Sequence, residues 1–193
     1  MFAVRIHGRG GQGVVTAAEM LSIAAFEGGK HAQAFPTFGS ERSGAPVVSF
    51  CRIDERPIRL REPIARPDAL IVQDPTLLHQ VRLFDGFGDD GYLLLNTSRS
   101  FDELGLAEQA ARLRPGRAVT MPSTELAREH LGRPLPNAVM IAGFGALTGI
   151  VSLDAVETAI RDKFAGKVAD ANAFAARKAW EWVEERMAEP ANA

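Results

Sequence analysis

The chain has 193 residues, 46% hydrophobic and 24% charged, with 22 Lys and Arg against 24 Asp and Glu, for a formal charge of −2 and a pI near 6.1. That length allows one domain, or one with a helical appendage, but not two equal ones, and the balance belongs to an ordinary globular protein rather than a disordered or fibrous one. The near-neutral charge gives no case for a nucleic-acid surface, and the single cysteine, Cys51, excludes an intrachain disulfide and any zinc or iron–sulfur site held by a Cys pair.

A reducing cytoplasm fits that cysteine count. The chain enters a strand pattern directly at Phe2 to His7, without the basic segment, apolar run and cleavage site of a signal peptide, so export by that route is not expected. The best apolar stretch, Asn137 to Val151, is too short and too broken by glycine to span a membrane.

Phe2 to His7 reads as a buried strand, and Gly8-Arg-Gly-Gly-Gln-Gly13 follows at once as a tight turn. Val14 to Glu27 reads as a helix with an apolar face of Val14, Ala17, Ala18, Leu21, Ile23, Ala24 and Ala25, stopped by Gly28-Gly29. A short strand, His31 to Ala34, leads into Phe35 to Pro46, where two prolines and two glycines argue for a long functional loop. Val47 to Ile53 and Ile58 to Leu60, separated by Asp54-Glu-Arg-Pro57, suggest an antiparallel hairpin.

Ala69 to Asp74 is a compact apolar strand, and Pro75 opens a helix through about Leu83. Tyr92 to Asn96 and Ala118 to Met121 repeat the strand pattern, and Ser123 or Thr124 can cap a helix from Glu125 to Leu131. After Pro136 the pattern turns helical: Asn137 to Thr148, a segment from Ser152 to Ile160 that starts with a plausible cap, and Ala169 to Met187. In the last of these, Phe174, Ala175, Trp182 and Val183 should pack on the sheet or on a partner, while Glu184, Glu185 and Arg186 face water. Glu189 to Ala193 reads as a frayed tail.

The expected fold is α/β: an open, mainly parallel Rossmann-like sheet with an antiparallel hairpin and C-terminal helices. The chain is expected to be a single domain, 1–193, with a sheet core over about 1–135 and a helical part over about 136–188.

Gly8, Gly10 and Gly13 match G-x-G-x-x-G between a strand and a helix, where backbone N–H groups and the helix dipole can receive a phosphate. Alternatively, the glycines only permit a tight turn and close strand-to-helix packing. Arg9 could add a guanidinium and Gln12 an amide to an anion site, or both could simply be exposed turn residues. A dinucleotide site would need an acidic residue at the end of the next strand, which offers only His31, Ala32, Gln33 and Ala34; Glu27 lies before the glycine break. NAD is therefore the weaker form of the phosphate reading.

Glu41-Arg42-Ser43-Gly44-Ala45-Pro46 places a carboxylate, a guanidinium and a hydroxyl in one short loop, suited to polar recognition or to no more than a surface ion pair. His7 ends a buried strand without a sequence partner to orient it for catalysis and reads as a packing residue. His79 and His130 fall on polar helix faces, and Cys51 reads as a small core side chain rather than a nucleophile.

Gly-Arg-Gly-Gly-Gln-Gly, followed by Gln33-Ala-Phe-Pro36 and Glu41-Arg-Ser-Gly-Ala-Pro-Val47, strongly resembles the gamma subunit of the pyruvate:ferredoxin oxidoreductases and their 2-oxoacid relatives. Pro67 to Pro75, Pro136-Asn137 and Gly149 to Leu153 extend the resemblance over nearly the whole chain. It implies a thiamine diphosphate- and iron–sulfur-dependent enzyme that oxidatively decarboxylates a 2-oxoacid to its acyl-CoA and passes electrons to ferredoxin or another acceptor. This chain has no Gly-Asp-Gly with a downstream Asn pair for magnesium and diphosphate, and no cysteine spacing for a cluster, so thiamine diphosphate, Mg and the clusters are assigned to other subunits.

By the same resemblance, the partners are catalytic alpha and beta subunits and an iron–sulfur delta subunit, and this chain is not active alone. It would help form the site of the co-substrate coenzyme A, with Gly8, Arg9, Gly10, Gly11, Gln12 and Gly13 at the phosphates and Glu41, Arg42 and Ser43 as a second contact or a subunit-contact loop. No catalytic proton-transfer residue and no metal ligand is nominated. The rival readings are a free-standing NAD(P)-binding oxidoreductase and a purely structural assembly module.

Overall fold

A computed structural model describes residues 1–37 and 43–188. Six strands form one open sheet: β1 (Phe2–Arg9), β2 (His31–Pro36), β3 (Pro46–Asp54), β4 (Ala69–Val72), β5 (Tyr92–Asn96) and β6 (Ala118–Met121), in the order β2-β3-β1-β4-β5-β6. β1, β4, β5 and β6 run parallel, while β3 runs antiparallel to both β1 and β2. The mixed, mainly parallel α/β sheet expected from the sequence is the one observed.

The antiparallel hairpin, however, lies elsewhere. β3 pairs with β2 on one side, Ala34 opposite Cys51, and with β1 on the other, Val4 opposite Cys51, so neither of its edges is left for Ile58 to Leu60. That segment is not a strand. It crosses the sheet as an irregular strap whose carbonyls accept from buried arginines: Arg52 donates to Leu60 and Glu62, and Arg5 to Ile64. Ile64 closes the strap by packing on Ala3 and Phe50. The loop expected over Phe35 to Pro46 is shorter than that, because β2 runs on to Pro36 and β3 starts at Pro46.

Side chains alternate across the strands, so each parallel strand feeds two cores. Val4, Ile6, Ala69, Ile71 and Leu94 face a large buried cluster with the helices, whereas Leu70, Val72, Leu93 and Leu95 face a second one with Leu77, Leu83, Phe87 and Leu113. The first cluster takes in α1 (Val14–Glu27), α3 (Ser123–Leu131), α4 (Asn137–Thr148), α5 (Leu153–Lys163) and α6 (Gly166–Ala188). On α1 the expected face is buried except for half-buried Ile23, and Met20 joins it. α4 is apolar all round and almost wholly buried, as a central helix must be. α5 begins where Ser152 accepts from the Ala155 N–H at 3.2 Å, the expected cap.

One further expectation needs correction, and one helix carried no signal in the sequence. The helix after Pro75 is only a single 3₁₀ turn, Pro75–His79, because the chain beyond it turns the carbonyls of Leu83 and Asp85 to the buried Arg5 guanidinium, at 2.6 and 2.8 Å. A six-residue helix, α2 (Ala107–Arg112), buries none of its residues and so has no apolar stripe to signal it. On α6, Ala175 and Val183 are buried and Trp182 is half-buried, but Phe174 is 49% exposed, edge-on to His130. Glu184, Glu185 and Arg186 are exposed as expected, and the tail Glu189 to Ala193 lies outside the described residues. No described helix is long and apolar enough to cross a membrane.

Candidate functional site

The C-terminal ends of the four parallel strands line one edge of the sheet, which is where open α/β folds place ligands. β1 delivers the glycine turn there. Gly11 (φ 95°) and Gly13 (φ 72°) hold left-handed backbone that costs other residues energy. Gly8 is fixed by space instead: a Cβ there would come within 2.6 Å of the Val14 side chain and 3.2 Å of Gln73. Gly13 caps α1, and a Cβ on it would meet the Asn137 amide at 2.6 Å.

The turn is held from below. The Gln12 side chain accepts from the Arg9 N–H at 2.8 Å and donates to Asp74 at 2.8 Å. The Arg9 guanidinium pairs with Asp74 at 3.2 Å and donates to Thr76 Oγ1, to Gln80 Oε1 and to the Gly44 carbonyl. Asp74 also accepts from the Thr76 N–H and hydroxyl. Burial pushes the Asp74 carboxyl up, but Thr76, Gln12 and the Arg9 charge together outweigh burial and hold it below its ordinary range. Arg9 and Gln12 therefore spend most of their donors inside the protein, bracing the turn on the end of β4.

The second motif meets the first. Gly10 donates to the Ala45 carbonyl at 2.9 Å, and Gly44 donates back to Gly10 at 3.0 Å, so residues 43–45 are stitched to the glycine turn. Ser43 is exposed beside that seam, while Glu41 and Arg42 lie outside the described residues. A cavity of about 290 Å³ opens over the turn, lined by Arg9, Gly10, Gly11, Gly13, Val14, Val15 and Val47. Among the described residues, the N–H groups of Gly11, Gly13, Val14 and Val15 have no protein acceptor, and the first turn of α1 carries no acidic side chain. Free backbone donors at a helix N-terminus attract an anion of phosphate size.

Three residues of this edge were not nominated as site residues from the sequence, although Asp74 and Asn137 lie in stretches that carry the family resemblance. Asp74 is the hub that braces the turn. Asn96, at the end of β5, donates to the Gln73 carbonyl at 2.7 Å and to Thr124 Oγ1, and accepts from the Thr124 N–H at 3.0 Å, so it caps α3 in place of the expected Ser123 or Thr124. Asn137 opens α4, with Oδ1 accepting from the Ala138 N–H and Nδ2 lying over Gly13. The sequence signals were position at a strand or helix end, the Asp-Pro step at Asp74 that opens a turn, and the place of Asp74 and Asn137 in the Pro67 to Pro75 and Pro136-Asn137 stretches.

His7 lies on the sheet face opposite the helices, between Val48 and Val72 in register, 6% exposed, with neither ring nitrogen paired. Burial and the nearby Arg5 cation lower its pKa to about 4. His79 is exposed, His130 packs on Phe174, and Cys51 is fully buried, its thiol pushed well above its ordinary range by desolvation. Among the described residues no three His, Cys, Asp or Glu side chains gather closely enough to hold a metal ion. The strand that follows α1 is an edge strand two places from β1 and antiparallel to its neighbour, so the position from which a dinucleotide fold supplies its ribose-binding acid does not exist here.

Residues 3–182 match the family described as pyruvate ferredoxin/flavodoxin oxidoreductase. The chain is 47% identical over 181 residues to pyruvate synthase subunit PorC of Methanothermobacter marburgensis, covering 94% of this chain and 97% of that one. It is 46% identical over 181 residues to the common subunit gamma of the pyruvate/ketoisovalerate oxidoreductases of Pyrococcus abyssi, covering 94% and 96%. The crystal structure of pyruvate oxidoreductase subunit PORC from Thermotoga maritima superposes with a TM-score of 0.77 at 36% identity over 93% of this chain and 95% of that one. The fold alone is shared with the 2-oxoglutarate:ferredoxin oxidoreductase of Magnetococcus marinus, at a TM-score of 0.70 and 15% identity over 98% of this chain and 32% of that chain. The chain thus belongs to the pyruvate ferredoxin/flavodoxin oxidoreductase family, as the gamma subunit of a multi-subunit pyruvate or 2-oxoacid oxidoreductase.

Proposed function

We propose that this subunit supplies part of the coenzyme A site of a complex that oxidatively decarboxylates a 2-oxoacid to acyl-CoA and CO₂, passing two electrons to ferredoxin or another acceptor. The observation that carries the reading is the row of free N–H groups at Gly11, Gly13, Val14 and Val15, opening into a cavity at the N-terminus of α1. The pyrophosphate of coenzyme A complements such a row.

Within the site, Gly8 and Gly10 shape the turn, Gly11 and Gly13 present donors, and Gln12 fixes the turn on Asp74. Arg9 braces the same turn while its positive charge stays at the cavity wall. Ser43, with Glu41 and Arg42 before it, supplies a second contact to the ligand or to a companion subunit. Thiamine diphosphate, magnesium and the iron–sulfur clusters reside on alpha, beta and delta subunits, since one buried cysteine and no acidic or histidine cluster among the described residues do not fit those groups. The whole chain, sheet and helices together, serves as one domain of that assembly, in the cytoplasm.

The test is to purify the complex through a tag on this chain and measure coenzyme A binding and 2-oxoacid oxidation with Gly11→Asp beside the wild type. A carboxylate placed at Gly11, where no atom lies near a Cβ, should weaken coenzyme A by tenfold or more, an order-of-magnitude expectation for a charge set against a phosphate. The complex should remain assembled. Unchanged coenzyme A affinity would leave the subunit a purely structural module.

A further inference from the structure

The strap that follows β3 is pinned to the sheet from beneath. Arg52 donates to the carbonyls of Leu60 and Glu62, at 3.5 and 2.7 Å, and Arg5 donates to that of Ile64 at 3.4 Å. Ile64 and Pro67 are buried, and Gly86 lies so close that a Cβ on it would come within 2.0 Å of the Ala65 carbonyl. A segment held at so many points has little backbone freedom left to lose when something binds to it.

The side chains it turns outward are basic. Residues 52–66 hold five arginines against Asp54, Glu55 and Glu62, in a chain whose carboxylates outnumber its lysines and arginines. Arg56, Arg59, Arg61 and Arg66 are exposed, and none of them pairs with a carboxylate among the described residues. Asp54, the acid beside them, is taken by the N-terminal ammonium at 3.1 Å. Beneath the strap, the buried Arg5 and Arg52 are bonded to carbonyls, which satisfy their donors without cancelling their charge. Leu60, 46% exposed, stands between Arg59 and Arg61. This face therefore carries a positive field around one apolar side chain.

A permanent subunit contact is apolar at its centre and depleted in charge, because each guanidinium it buries must shed its water. This ridge is the reverse, a single leucine within a rim of arginines. That is the composition of an encounter surface, one that steers a partner of opposite charge and releases it again.

We propose that the strap is a docking ridge for the acidic face of the protein that carries electrons away from the complex, with Arg59 and Arg61 on its carboxylates and Leu60 on an apolar spot between them. The inference rests on the reading above that the complex reduces a protein acceptor. It adds that this subunit, to which that reading assigns no redox group, takes part in receiving the acceptor.

The experiment assays 2-oxoacid oxidation by the assembled complex with two acceptors, an acidic bacterial ferredoxin and the small dye methyl viologen, which needs no docking surface. Wild-type kcat/KM for ferredoxin should fall about tenfold between about 20 mM and about 300 mM salt, while that for the dye should change by less than about twofold. Arg59→Glu with Arg61→Glu should lower kcat/KM for ferredoxin by about thirtyfold at low salt, through KM, and leave turnover with the dye unchanged. Arg59→Gln with Arg61→Gln removes only the charge of two exposed side chains; it should lower the same quantity by about fivefold and flatten its salt dependence.

Ferredoxin kinetics that neither double variant alters overturn the assignment. So does an equal loss with both acceptors, which would give the strap a part in folding alone, and so does the release of companion subunits, which would make the ridge a permanent contact. A wild-type complex that oxidises 2-oxoacids with the dye but not with ferredoxin refutes this inference and leaves the enzyme reading intact. No turnover with either acceptor refutes the enzyme reading and this inference with it.

Discussion

His7 allows a sharp test of how the sheet is buried. It sits between Val48 and Val72 in register, and burial first, then the Arg5 cation, lowers its pKa from 6.5 to about 4. In the unfolded chain the imidazole takes up a proton near 6.5, whereas the folded chain refuses it until about pH 4. The stability that follows from this difference is fully present above pH 6.5 and is lost as the pH falls from there toward 4. The whole interval is worth about 3 kcal/mol, of which about 2 kcal/mol is gone by about pH 5. Urea unfolding of the full chain and of His7→Leu, from about pH 8 to about pH 5, isolates this contribution because every other titrating group cancels in the difference. Leucine should be no worse than histidine at the alkaline end, since it removes two buried, unpaired ring nitrogens, and it should become more stable than the wild type by about 2 kcal/mol at about pH 5. Two curves that stay parallel across the range would show that His7 is protonated freely in the folded chain and would refute its burial beside the Arg5 cation.

The bracing of the glycine turn makes three more predictions. Gly13→Ala combines left-handed backbone with a clash on Asn137, and should cost about 2 to 3 kcal/mol and about 5 to 10 °C in thermal unfolding; Gly11→Ala, which has open space, should cost only about 1 kcal/mol. Asp74→Ala strips Arg9, Gln12 and Thr76 of their shared acceptor, so coenzyme A binding to the complex should weaken by about tenfold and the chain should lose about 2 kcal/mol in urea unfolding. Asn96→Ala leaves the Thr124 N–H without its cap and the Gln73 carbonyl without its donor; hydrogen exchange at the first turn of α3 should quicken, with a loss of about 2 kcal/mol.

The parts of the fold legible in the sequence are those whose signal is local. β1, the glycine turn and α1 could be read from an apolar run, three spaced glycines and a helical face, and α4 and the Ser152 cap from Pro136, continuous apolarity and a hydroxyl three residues ahead of a free N–H. The partner of β3 was not local. Asp54 to Pro57 reads as a hairpin turn, but both edges of β3 are taken by strands from before it in the chain, and the carbonyls of the next segment go to the buried Arg5 and Arg52. Similarly, the helical signal after Pro75 gave way to Arg5, which draws off the carbonyls of Leu83 and Asp85 from the opposite side of that core.

The same distinction governs the site. The glycines announce themselves because close approach and left-handed backbone each demand a residue without a Cβ, and Gly8, Gly11 and Gly13 meet one demand or the other. Arg9 and Gln12 sit in the right place but bear on the ligand indirectly. A guanidinium that holds Asp74, Thr76, Gln80 and the Gly44 carbonyl cannot swing onto a phosphate without dismantling the turn, so its contribution to an anion is its charge and the posture of the backbone it braces. Asp74 and Asn137, 61 and 124 residues beyond Gly13 in the sequence, complete that posture from two other elements. Spacing within one motif could not reveal them, because their partner is the bend of the backbone at Gly8 to Gly13, which exists only once β1, β4 and α4 have come together.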